Sequence, residues 1–252
     1  MSGHSKWSTI KHGKAVTDAR RGKLFTKLAK EIIVAVREGG ADTDSNFRLR
    51  LAIQRAKDSN MPSNNVARAI NRATGSDSDG TRMEEVTYEG YGPGGTAILL
   101  QALTDNRNRT VSDVRSTFTK LGGNLAAAGA VAWQFEQKGM VVVGATGDQD
   151  ELTLAAIDAG ADDFETIDSN LHAYSSPDIL EGLRKSLVEW GAEIQSTELT
   201  MVPKNTVPLD EKTAKQALNL LDQLEELDDT QKIFSNADFT DEILARYGNA
   251  GD

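Results

Sequence analysis

Cations and one indole crowd the start of this sequence at spacings that suit a polyanion. Lys6, Trp7, Lys11, His12 and Lys14 stand among Gly3 and Gly13. The cations can neutralise phosphates, the indole can stack on a base, and glycine lets a backbone approach a nucleic acid closely. Arg20, Arg21, Lys23, Lys27 and Lys30 follow directly. Lys23, Lys27, Lys30 and Arg37 share one helical stripe, opposite an apolar one. Arg48 with Arg55, Arg50 with Lys57, and Arg68 with Arg72 repeat the pattern in the next two segments, which favours a phosphate-tracking surface. Two readings of Trp7 stand: a stacking platform on a flexible arm, or a staple folded back onto a helical domain, since Trp usually buries. Further on, Asp105-Asn-Arg-Asn-Arg109 precedes a helix. Arg107 and Arg109 oppose the helix dipole there, which either invites an anion to the free N–H groups or marks salt bridges to an acidic body.

Other chemistries lack their residues. The chain has no cysteine, which removes disulfides, thiolate metal sites and Cys nucleophiles. His4 and His12 have only Asp18 near them, too few ligands for a metal site. Gly92-Pro-Gly-Gly-Thr96 lacks the Gly-Lys-Ser/Thr ending of a phosphate-binding loop and reads as turn chemistry. His172 has no visible Ser or Asp partner motif, and no HExxH, GxSxG or kinase set occurs. The expectation is a protein that is not an enzyme and uses no cofactor or metal.

Charge is split by position. Residues 1–75 hold 15 Lys and Arg against 6 Asp and Glu, net +9, whereas residues 76–252 hold 13 against 32, net −19. A basic module that releases condensed counterions is therefore attached to an acidic body repelled from all but the intended contact. No apolar run is long enough for a transmembrane helix, and no signal-type stretch follows the first lysines, so a cytoplasmic protein without membrane contact is expected.

The elements that must position these residues change period along the chain. Leu24, Leu28, Ile32 and Val36 recur every four residues within a helix over Lys23–Glu38, which Gly39-Gly40 stops. A second helix runs from about Asn46 to Asp58, with Leu49, Ala52, Ile53 and Ala56 on one face and Phe47 and Leu51 on the other. Pro62 opens a third, with Val66, Ala69, Ile70 and Ala73 inside. After the linker Gly75–Gly80, strands at Val86–Tyr91 and Thr96–Leu103 form a hairpin. A helix follows over Thr110–Leu121, with Thr110 and Asp113 as its capping box, and then a strand near Val131–Phe135. Residues 139–203 spell βαββαβ, the ferredoxin-like order: strands Met140–Val143, Asp163–Thr166, Leu171–Ser175 and Glu193–Met201, with helices Asp150–Ala159 and Pro177–Trp190. A last helix at Asp210–Leu227 and a strand at Thr230–Phe234 supply what the middle sheet lacks. The fold class is thus α+β and multidomain: an N-terminal three-helix domain (1–78) and two α/β ferredoxin-like domains. One of these is discontinuous (79–137 plus 204–252), and the other (138–203) is inserted in it.

Several of these stretches also resemble the YebC/PmpR family. Gly3-His-Ser-Lys-Trp7, Ile10-Lys-His12, Asp18-Ala-Arg-Arg-Gly-Lys23, Phe25-Thr-Lys27, Asn60-Met-Pro62 and Arg68-Ala-Ile70 look like its N-terminal signature. Tyr88-Glu-Gly-Tyr-Gly-Pro-Gly-Gly95, Thr104-Asp-Asn-Arg-Asn-Arg-Thr110 and Gly122-Gly-Asn124 look like that of its middle domain. Gly13 departs from the basic residue expected between His12 and Lys14. The resemblance implies a three-domain cytoplasmic protein with a non-enzymatic role in gene expression. Members are labelled DNA-binding transcriptional regulators, and relatives include mitochondrial translational activators and ribosome-associated factors.

Three classes remain on this reading. A DNA-binding regulator would place a helix in the major groove. An RNA-binding, ribosome-associated translation factor would send the arm into an irregular RNA cavity. An acidic protein-interaction module would have no direct nucleic-acid role. The glycine-interrupted arm with Trp7 favours nucleic acid, and RNA slightly over DNA. Monomer and weak dimer both stay open.

Overall fold

Apolar residues four apart bury Leu28, Ile32 and Val36 along helix α1 (Asp18–Gly39) of the computed structural model. The structure describes residues 18–75, 83–144, 149–167 and 169–249. Gly40, at φ +84°, ends the helix, its N–H donating to Val36 O at 2.8 Å. Asn46 then links two helices through one buried side chain. Its Oδ1 accepts the Leu49 N–H at 3.0 Å to cap α2 (Phe47–Asp58), while Nδ2 donates to Ala35 O and Gly40 O, both at 2.7 Å. Helix α3 (Ser63–Thr74) follows Pro62 and buries Ala69.

The remaining described elements are, in chain order, β1 (Glu84–Tyr91), β2 (Ala97–Thr104), α4 (Arg107–Lys120), β3 (Asn124–Leu125), β4 (Phe135–Val143), α5 (Gln149–Asp158), β5 (Asp163–Ile167), β6 (Asn170–Ser175), α6 (Leu180–Trp190), β7 (Ile194–Pro203), β8 (Val207–Pro208), α7 (Glu211–Glu225), β9 (Thr230–Ser235), β10 (Ala237–Asp238) and α8 (Asp241–Asn249). Among the described residues, none of the helices is long and apolar enough to cross a membrane. These residues fall into two compact units. One holds residues 18–27, 83–136 and 202–249, the other residues 28–75 and 137–201.

In the first unit the strands order as β3-β1-β2-β9, so the C-terminal strand closes a sheet begun by the hairpin. Ile98, Leu100 and Ala102 of β2 face Val114 and Phe118 of α4 and Leu218, Leu221 and Leu224 of α7. Gly90 is where α4 comes closest: a Cβ there would lie 2.6 Å from the Phe118 ring and 2.8 Å from Asn124 O. The other face of the sheet carries Glu89, paired across the strands with Leu99. Its buried carboxylate accepts N–H bonds from Gly129 (2.6 Å), Val131 (2.7 Å) and Ala132 (2.8 Å). Tyr91 Oη and Trp133 Nε1 both donate to Ala130 O at 3.1 Å. Of the strand expected near Val131–Phe135, residues 131–134 are therefore a loop with a short 3-10 turn bound to a carboxylate instead of a ladder, and Phe135 begins β4. The strand beside β1 is Asn124–Leu125.

In the second unit the strands order as β5-β6-β4-β7, with antiparallel β4–β6 and β5–β6 pairs. Renumbered within the segment, this is 2-3-1-4, the ferredoxin-like order expected from the alternation. Leu152 and Ala156 of α5 and Leu180, Leu183 and Leu187 of α6 cover the sheet. Phe47 and Leu51 of α2 pack against this same core, while Leu49, Ala52 and Ala56 bury on the opposite side of the helix. The apolar residues on both faces of α2 thus report two covered sides.

Burial alone would raise the Glu89 carboxyl, but its three N–H donors outweigh that and hold it below the usual glutamate range. Glu89→Gln is expected to cost about 1–3 kcal/mol in urea unfolding at neutral pH, since a buried acceptor set loses a partner. A depressed native value makes this contribution fully present above the ordinary unfolded value, and it is lost as pH falls through the lowered one. Equal acid sensitivity of the wild type and Glu89→Gln would contradict this assignment.

Candidate nucleic-acid interface

Helix α1 presents Lys23, Lys27 and Lys30 as one series, because residues three and four apart share a face, and Arg21 lies on another side of the helix. Arg20 lies in the same helix. Lys6, Trp7, Lys11, His12 and Lys14 lie outside the described residues. Two of the helical lysines reach the reversal between α7 and β9. Lys23 Nζ lies 3.4 Å from Glu226 Oε2 and 3.9 Å from Asp228 Oδ1. Lys27 Nζ donates to Glu225 O at 2.6 Å, at the C-terminal end of α7, where the helix dipole favours a cation. The stripe read as a phosphate-tracking surface therefore has its leading lysines against acidic and carbonyl oxygens.

Arg107 and Arg109 lie inside the first turn of α4, not ahead of it. The helix begins three residues earlier than the Thr110–Asp113 capping box implied, because Asn106 is the cap: its side chain accepts the Arg109 N–H at 3.1 Å. Thr110 is buried instead, its Oγ1 donating to Asp229 Oδ2 at 2.8 Å. Thr104 Oγ1 donates to the same oxygen at 3.2 Å, and Arg109 Nη2 at 2.7 Å. Arg109 also meets Asp105 at 2.8 Å. Hydrogen bonds from Arg109 to Asp229 and then Asp105 hold the guanidinium firmly in its charged form. Arg107 Nη1 is 3.7 Å from Glu84. Lys23, Lys27 and Arg109 thus converge on residues 225–229, and Arg107 is placed apart from them.

In the second unit, Arg55 meets Glu31 at 3.1 Å, and Arg50 donates to Asp44 O at 2.8 Å with its guanidinium 5.6 Å above the Phe47 ring. Helix α3 carries a feature that sequence reading passed over. Asn64, Arg68 and Asn71 are exposed on one side of the helix, with exposed Arg72 beside them nearer to buried Ala69. The spacing of the first three, four and then three, is the signal: amide and guanidinium side chains on one exposed helix face are the types that read base edges. Among the described residues no three His, Asp or Glu side chains are grouped as metal ligands. His172 is a buried residue of β6, opposite Val142 on one side and Glu165 on the other.

Known proteins are similar to this chain in sequence and fold. Residues 5–76 match the family model described as the TACO1/YebC protein N-terminal domain, and residues 83–237 match that of the TACO1/YebC second and third domain. A "probable transcriptional regulatory protein" of Dehalococcoides mccartyi (strain CBDB1) is 55% identical over 248 residues, 98% of each chain. One of the same name from Chloroflexus aurantiacus (strain ATCC 29366 / DSM 635 / J-10-fl) is 51% identical over 251 residues, 98% of this chain and 99% of the relative. The crystal structure of a conserved hypothetical protein from Aquifex aeolicus superposes with a TM-score of 0.86 at 46% identity, covering 94% of this chain and 98% of that one.

Asp229 is buried and gathers Arg109, Thr104 and Thr110, so removing its charge weakens all three hydrogen bonds. Asp229→Asn is expected to lower stability by about 1–3 kcal/mol, the scale of a buried acceptor that loses part of its hydrogen bonding. Chemical denaturation of the two proteins side by side measures it. A loss below about 0.5 kcal/mol, the range of ordinary surface substitutions, would contradict that role.

Proposed function

The chain belongs to the TACO1/YebC family, and from that premise we propose that it is a non-enzymatic, cytoplasmic regulator of gene expression that binds nucleic acid through residues 1–78. One observation carries the reading: the positive excess of +9 sits in residues 1–75, ahead of a body of net −19. Phosphate neutralisation by that segment supplies the affinity, and the acidic body keeps contacts elsewhere unfavourable. Trp7, Lys6, Lys11, His12 and Lys14 form the specific part of the proposed surface, and Arg20, Arg21, Lys23, Lys27 and Lys30 extend it. Arg107 and Arg109 join it only where phosphate displaces their carboxylate partners. Residues 1–78, 79–137 with 204–252, and 138–203 are the proposed domains. The pure protein-interaction module is not favoured, because it leaves the basic segment without a role and the relatives carry regulators' names.

Two nucleic-acid targets divide the reading. The arm's residue types suit irregular RNA, with the ribosome as the partner. Operator DNA is supported by α3, whose exposed Asn64, Arg68 and Asn71 suit a major groove. Gradient sedimentation of the endogenous protein, with and without RNase, separates the two. Co-migration with ribosomal subunits that RNase abolishes supports RNA, whereas migration away from ribosomes in both gradients supports DNA.

Trp7→Ala changes no charge, yet it is expected to cost about 1–3 kcal/mol of binding, the worth of one stacked base. Lys27→Ala is expected to weaken binding slightly, with a shallower dependence on salt. Electrophoretic or anisotropy titrations across a salt series, with melting curves for both variants, provide the check. A Trp7→Ala protein that melts early but binds normally when folded would make Trp7 a staple and remove the arm from the proposal.

A further inference from the structure

Helices α5 and α6 of the second unit bury one side and leave large apolar side chains on the other. Leu154 and Ile157, one turn apart and away from buried Leu152 and Ala156, are 62% and 46% exposed. Gly160 N–H donates to Ile157 O at 2.9 Å, and a Cβ on Gly160 would lie 3.1 Å from Ile179 Cδ1. Ile179 therefore borders the end of α5 that holds Ile157. From Ile179, itself 39% exposed, steps of three, four and four residues lead through exposed Gly182 and Ser186 to Trp190 at 44%. Open space surrounds the position of a Gly182 Cβ, which leaves a shallow gap between two apolar ends.

Around Leu154 and Ile157 on α5 the charge is negative, and the cations of α6, Arg184 and Lys185, lie beside Glu181. Residues 149–167 contain Asp150, Glu151, Asp158, Asp162, Asp163 and Glu165, and no Lys or Arg. Lys185, on α6, is 3.9 Å from Glu181, and Lys138 is 3.1 Å from Asp162. Exposed Leu and Ile ringed by carboxylates repel nucleic acid, anionic lipid and the acidic body of a second copy alike. A ligand that satisfies both features must bring apolar side chains at helical spacing and cations beside them.

We propose that the outer face of α5 and α6 docks a lysine- or arginine-rich amphipathic helix of a partner protein. The partner's apolar residues, at positions i, i+3 or i+4, and i+7, lie over Leu154, Ile157 and Ile179, with Gly182 and Ser186 giving its backbone room. Asp150 and Asp158 meet its cations at the rim and set the encounter rate. This surface lies outside residues 1–78 and is independent of the nucleic-acid reading.

The test titrates the full chain with a fluorescent Lys/Leu peptide whose leucines repeat at helical spacing, followed by anisotropy. A scrambled peptide of the same composition serves as the comparison. Leu154→Gln with Ile157→Gln, and separately Asp150→Asn with Asp158→Asn, change exposed positions and are checked for unchanged melting. Saturable binding is expected, weakened about tenfold or more by scrambling and by the apolar pair, the scale of losing interface anchors. The carboxylate pair is expected to lower affinity and its salt dependence. Nucleic-acid affinity is expected to stay the same in both variants. Equal binding of the scrambled peptide, unchanged binding by the apolar pair, or self-association of the chain that the apolar pair abolishes would each overturn the proposal.

Discussion

Between α7 and β9 the chain reverses through Glu226-Leu-Asp-Asp229, and four parts of the first unit are tied to that reversal. The Asp229 carbonyl accepts the Leu103 N–H at 2.8 Å, which starts the pairing of β9 against β2. Its carboxylate collects Thr104, Thr110 and Arg109 and so fixes the first turn of α4. Lys23 and Lys27 bring the leading turns of α1 to Glu225, Glu226 and Asp228. Carboxylates this close in sequence repel one another unless cations are set among them, and each cation here comes from a different distance along the chain. The same constraint bears on binding. A phosphate that takes Lys23 must displace a carboxylate that already neutralises it, so affinity from these lysines is smaller than their count implies and depends strongly on salt.

The middle-domain signature is explained by folding. In Tyr88–Gly95, Tyr88 joins the core, Glu89 binds the 129–132 loop, Gly90 admits the Phe118 ring, and Tyr91 fixes Ala130. Gly94 and Gly95 take φ +74° in the turn to β2, a conformation that L side chains rarely adopt. In Thr104–Thr110, Asn106 caps, Arg109 bridges and Thr110 is buried against Asp229. These residues have structural partners throughout. The N-terminal signature up to Lys14 lies outside the described residues.

Period and turn chemistry made most elements legible in the sequence. The βαββαβ alternation of residues 139–203 gave the inserted sheet its strand order, and the unfinished hairpin sheet pointed to the tail for its last strand. The doubled apolar faces of α2 foretold two coverings. Three features were hidden for physical reasons. Val131 is buried like a strand residue, but a carboxylate from β1 takes the N–H groups of Val131 and Ala132 that a ladder would have used, and β4 starts only at Phe135. Asn106 competes with Thr110 as a cap, and only the position of Asp229, far away in sequence, decides that Thr110 turns inward. The exposed asparagines of α3 were legible in spacing, yet the sequence alone does not tell an exposed amide from a capping one. Of the candidate site, the convergence of Lys23, Lys27 and Arg109 on one turn was invisible, because it joins residues about 120 to 200 positions apart.

Charge divides the molecule into a basic leading segment, the proposed nucleic-acid surface, and an acidic remainder whose carboxylates hold several of its own cations. Ultraviolet cross-linking of the full chain to the nucleic acid that co-purifies with it, with the cross-linked peptides mapped by mass spectrometry, tests that division most directly. Cross-links are expected within residues 1–75, with Trp7 and the flanking lysines strongest. Cross-links concentrated in residues 83–249 would contradict it.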